Sequence, residues 1–77
     1  MAKIYRLRSL IYAKYDSEAQ LAADLGWTRQ RLNRITNGVK EPDLDEIREL
    51  SEKLGVQIQE VVSIFLDEKS PNDVQTG

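Results

Sequence analysis

Apolar residues recur at helical spacing in five stretches of this chain, each bounded by residues that start or stop helices. Ile4, Leu7, Leu10 and Ile11 predict a first helix from Ile4 to about Tyr15, with Arg6 and Arg8 pointing off its buried face. Ser17, three residues before Gln20, reads as a capping-box start for a second helix, whose apolar face is Leu21, Ala22 and Leu25. Gly26 suits the left-handed residue that closes it. Thr28 can cap a third helix through its hydroxyl, and Gly38 sits just past that helix's end. Asp43 and Glu46 form a second capping box, opening a fourth helix with Leu44, Ile47, Leu50, Ser51 and Leu54 inward and Gly55 as its stop. Asp43, Asp45, Glu46, Glu49 and Glu52 are expected to be its solvated remainder. The fifth helix, near Ile58 to Leu66, carries a core stripe of Ile58, Val61, Val62 and Phe65. Beyond Leu66 the chain turns polar, carries Pro71 and loses periodicity. The pattern predicts an all-α domain over residues 1–66 and a disordered tail over 67–77.

The densest information lies between Ser17 and Gly38. Only Trp27 and Thr28 separate Gly26 from the third helix, so the second and third helices must meet at a steep angle. Ala22, four residues before Gly26, falls where they cross and only a small side chain fits. On the third helix Leu32 and Ile35 share one side, while Arg29, Gln30, Asn33 and Arg34 cluster roughly opposite. A helix divided in this way, apolar behind and hydrogen-bonding in front, is what a DNA major groove accepts.

Leu21-Ala22, Leu25-Gly26, Thr28, Leu32, Ile35, Asn37-Gly38, Pro42 and Leu54-Gly55 together resemble the helix-turn-helix domain of phage repressors of the Cro and lambda-repressor type, the Xre family. The resemblance runs from about Ile4 to Leu66. It implies a compact lambda-repressor-like bundle of five helices with the third as recognition helix. Two departures from it involve three positions. Many members pair an arginine in the first helix with a glutamate at the position of Thr36; here Ile11 and Thr36 replace both partners. Exchanging both members of a buried ion pair is often neutral, whereas losing one is costly, so the fold expectation stands. Members also often carry a phosphate-touching glutamine where this chain has Glu18. A carboxylate there favours the helix N-terminus but repels DNA.

Composition narrows the function. At 77 residues there is room for one core. Cysteine and histidine are both absent, which excludes disulfides, thiol catalysis and the usual zinc spacings. No apolar run approaches the roughly 20 residues of a membrane span, and no signal-peptide core precedes the first helix. A cytoplasmic protein is expected. The net charge of −2 hides a division: residues 1–40 hold eight bases and three acids, +5, whereas residues 41–77 hold three bases and ten acids, −7. That is the footprint of a basic face for phosphate and an acidic back. The fourth-helix carboxylates are spread around a surface with no partner base, so neither metal nor acid–base chemistry is expected. Tyr5, Tyr12 and Tyr15 are expected to pack rather than to stack on a ligand.

These readings converge on a sequence-specific regulator of transcription, a phage-type repressor bound to double-stranded DNA. Arg29, Gln30, Asn33 and Arg34 are expected to read bases, and Thr28, Arg31, Asn37 and Lys40 to hold phosphates. Ile64 and Leu66 flank the fifth helix's core stripe with more apolar surface than one small core needs, so they are expected to join a homodimer on a palindromic site, with Phe65 beneath them. No enzyme activity, cofactor or small-molecule ligand is expected. The competing reading is a protein-interaction module of the same fold, such as an antitoxin-like partner. Such a module has no need of two arginines, a glutamine and an asparagine on the outer face of its third helix.

Overall fold

A computed structural model describes residues 4–69. Five helices follow one another: α1 (Tyr5–Lys14), α2 (Glu18–Leu25), α3 (Arg29–Thr36), α4 (Leu44–Leu54) and α5 (Ile58–Lys69). They close on a single core whose fully buried members include Leu7, Ile11, Leu21, Leu32, Ile35, Leu50, Val61 and Ile64. Every helix contributes to that list, which is why none of the five, each 8 to 12 residues long, has to be stable alone. This is the all-α, lambda-repressor-like bundle.

The stop signals act as expected. Gly26 (φ 76°) and Gly55 (φ 71°) both adopt the left-handed conformation that ends α2 and α4. Asp43 Oδ1 accepts the Glu46 N–H at 2.8 Å while Glu46 Oε1 accepts the Asp43 N–H at 2.9 Å, a complete capping box. The box at α2 is incomplete in an informative way. Ser17 Oγ accepts the Gln20 N–H (3.2 Å), but Gln20 Oε1 reaches one residue further back, to the Asp16 N–H (2.9 Å). The start of α1 has no side-chain cap; instead the Ile4 N–H donates to the Thr36 carbonyl at 2.9 Å, fastening the N-terminal helix to the end of α3.

Several expectations need correcting. Ile64 belongs to the core, 1% exposed, and so cannot supply a pairing surface. Ile58, expected in the core stripe, is 47% exposed. The inward face of α5 runs through Val61 and Ile64, three residues apart, with Val62 and Phe65 half-buried beside them. Leu44, expected inward, is 83% exposed, because it lies about 200° round the first turn of α4 from Glu46, which takes the buried side. Glu46, expected in solvent, is 1% exposed. Helix α5 also continues through Asp67 to Lys69, three residues past the expected end, and Arg6 of α1 ion-pairs with Asp67. Residues 70–77 of the expected tail lie outside the described residues.

Tyr15 is half-buried against the core and donates its hydroxyl to Asp24 (2.6 Å), whereas Tyr5 and Tyr12 stay largely exposed.

Candidate nucleic-acid interface

Helix α3 begins where the Thr28 hydroxyl accepts the Arg31 N–H at 3.1 Å. That cap fixes the rotation of a helix only eight residues long. Leu32, Ile35 and Thr36 turn inward, and Arg29, Gln30 and Arg34 are left exposed on the opposite side. Asn33 and the C-cap Asn37 are half-buried along the α2-facing edge of the exposed side. With Arg29 they repeat every four residues, and they line a shallow groove whose far wall is Arg8, Tyr12 and the Ser17 end of α2. Of the four residues expected to read bases, Arg29 and Asn33 line this groove with Arg8 and Tyr12 of α1, while Gln30 and Arg34 are exposed outside it. The guanidinium of Arg8 lies 5.8 Å from the Tyr12 ring centre.

Glu18 is less exposed than its place at a helix start suggests. Its Oε1 accepts from the Thr36 hydroxyl at 3.0 Å and its Oε2 lies 3.3 Å from Arg8 Nε. The Thr36 hydroxyl is also within 3.2 Å of the Asn33 carbonyl. An arginine and a carboxylate thus still bridge α1 to the end of α3, but Arg8 stands one turn before Ile11, and the carboxylate comes from α2. The carboxylate of Glu18 thus has a cationic and a hydroxyl partner within the protein. Tracing Arg8 and Glu18 as partners from sequence alone requires knowing that α1 and α2 converge on Thr36.

The residues expected to hold phosphates divide into two groups. Thr28 and Asn37 sit at the two ends of α3 as its caps. Arg31 and Lys40 instead converge on the buried carboxylate of Glu46. Arg31 Nε and Nη2 each lie 2.9 Å from Glu46 Oε2, and Lys40 Nζ is also 2.9 Å from that oxygen. Behind Arg31 the Trp27 ring sits 4.3 Å from the guanidinium carbon, and the indole N–H donates to Glu49 Oε1 at 3.2 Å. Burial pushes the Glu46 carboxyl upward. The Asp43 N–H, the Lys40 ammonium and the Arg31 guanidinium more than offset that and hold it below the usual carboxylate range. Both cations keep an outer side, with side chains 42% and 38% exposed. Nothing in the sequence pattern marks this cluster except the capping box, which places Glu46 at the third position of α4.

Among the described residues no group of acidic side chains could hold a metal ion, and no helix is long and apolar enough to cross a membrane.

Two helices joined by a short turn, the second offering a basic and amide-bearing face beside cations at its edge, define a DNA-binding helix-turn-helix regulator. The HTH_3 helix-turn-helix family model matches residues 12–61, from the end of α1 into α5. The chain belongs to that family, the Xre-type, lambda-repressor and Cro-like helix-turn-helix proteins. No curated protein and no solved structure matches it.

Proposed function

We propose that the protein is a sequence-specific repressor of the phage or mobile-element type, acting as a dimer on a palindromic operator, with α3 as its reading helix. The observation that carries this is the outer face of α3: Arg29, Gln30 and Arg34 are exposed and their side chains make no hydrogen bond or ion pair with the described residues, beside Asn33 at the groove. Arginine suits guanine and glutamine suits adenine in the major groove. Thr28, Arg31, Asn37 and Lys40 surround that face and serve the phosphates, which position without specifying.

Pairing follows from information content. One short helix reads only a few base pairs, and two copies spaced by about 34 Å, one turn of DNA, double the site. Val62, Phe65 and Leu66 of α5 line an apolar groove with Pro42 and Ile47, and Leu66 is 54% exposed. Ile64 being core, this groove takes its place as the pairing surface. The proposal is tested by titrating labelled duplexes with the full chain: each of Arg29→Ala, Gln30→Ala and Arg34→Ala is expected to cost about 1–3 kcal/mol on the cognate site and relax preference at one base position. Retention of full discrimination between cognate and random DNA by all three variants would overturn it.

A further inference from the structure

We propose that Glu46, a carboxylate that would not touch DNA itself, is the positioning residue of a two-cation phosphate clamp formed by Arg31 and Lys40. The proposal rests on the reading of these two residues as phosphate contacts given above. A lysine and an arginine on a protein surface ordinarily sample many rotamers, and ordering each on a ligand costs side-chain entropy. Here that cost is met within the free fold. Three donors from two side chains meet at one carboxylate oxygen. The other oxygen is fixed by the Asp43 N–H, and the carboxylate is itself anchored at the start of α4. Trp27, held by Glu49, backs the guanidinium face.

Arg31 and Lys40 share one buried carboxylate and are not used up by it, since both side chains stay about two-fifths exposed. Only one of the three Lys40 ammonium protons is taken by Glu46, and the guanidinium keeps its Nη1 group. Arg31 lies on the edge of α3 between its outer and buried faces, and Lys40 follows in the loop after it. The two therefore flank the reading face on the α4 side, where a phosphate bordering the groove would pass. A phosphate oxygen seated there completes an alternating row of anion, cations and anion.

The sign of one substitution decides the matter. By Coulomb's law alone, removing a negative charge beside DNA strengthens binding. Positioning predicts the opposite. Glu46→Gln keeps the size of the side chain and can still accept the Asp43 N–H, but no longer holds both cations. Its affinity for specific and random duplexes is expected to fall together, about three- to tenfold, with the slope of log K against log salt flatter by about one to two. In an Arg31→Ala/Lys40→Ala background the same substitution is expected to add nothing further. Tighter or unchanged binding by Glu46→Gln, or a full additional loss in that background, would overturn the proposal. A second measurement needs no DNA: in free protein the Arg31 Nε–H resonance is expected to be ordered and slow to exchange, unlike those of Arg29 and Arg34, and to lose that protection in Glu46→Gln. If wild-type protein bound no duplex while Arg31 kept this protection, the DNA assignment of the clamp would fail and the positioning by Glu46 would stand. An Arg31 Nε–H as labile as the other two would refute the positioning itself.

Discussion

Single residues here carry more than one task, and Glu46 shows the consequence most plainly. It caps α4, fills a buried position and holds two cations, so its ionised form is favoured in the folded state. A carboxyl whose folded pKa is depressed contributes stability that is present above its unfolded value and lost as pH falls through the folded value. Acid titration of the melting temperature is therefore expected to show a fall below about pH 5, and Glu46→Gln is expected to be less stable at pH 7 with a shallower fall. An identical acid profile in the two proteins would remove Glu46 from this role. Glu46→Ala, which also loses the reciprocal cap, is expected to cost about 1–3 kcal/mol by denaturant unfolding, because Arg31 and Lys40 can turn back to water. Glu46 was legible in the sequence as a cap but not as a buried group. Capping geometry is local, within one turn of helix. Burial depends on where Trp27 and the loop carrying Lys40 fall, and no periodicity along α4 contains that information.

At the scale of elements, the helix starts and stops were the most legible features, since each is decided by a few neighbouring atoms. Gly26 and Gly55 end helices in the left-handed conformation, and Thr28, Asp43 and Ser17 begin them. The outer face of α3 was legible for the same reason: a short helix with three inward residues leaves the rest in front. The face of α5 was not. Six apolar residues spread over its circumference allow more than one choice of inward side, and the partners on α1 and α4 settle it in favour of Val61 and Ile64. Gly26 offers a test of the α2–α3 junction. A Cβ there would meet nothing within 4 Å, so Gly26→Ala is expected to cost only the strain of a left-handed alanine, about 1–2 kcal/mol, in a calorimetric melt. A much larger loss would mean that the turn is crowded. Thr28→Ala is expected to lose about 1 kcal/mol through its cap, and to weaken DNA binding as well.

For the whole molecule, the two halves of the sequence are tied together by ion pairs between them, Arg6 to Asp67, Arg31 and Lys40 to Glu46, and Lys53 to Asp24. The basic half contributes α1, α2 and α3; the acidic half contributes α4 and α5, and the apolar groove lined by Val62, Phe65 and Leu66 is the pairing surface proposed above. Sedimentation of the full chain with and without a palindromic duplex is expected to show a dimer, and Leu66→Glu is expected to leave the helical content unchanged while abolishing self-association. A dimer surviving that change would place the interface elsewhere. The central claim is that α3 reads sequence. It is tested most directly by selecting bound duplexes from a random pool with the wild-type chain and with Arg29→Ala and Arg34→Ala in parallel. Wild type is expected to enrich a two-fold symmetric motif, and each variant to lose its preference for guanine at a different position of each half-site. Enrichment of no motif by wild type, or of the same motif with undiminished preference by both variants, would contradict it.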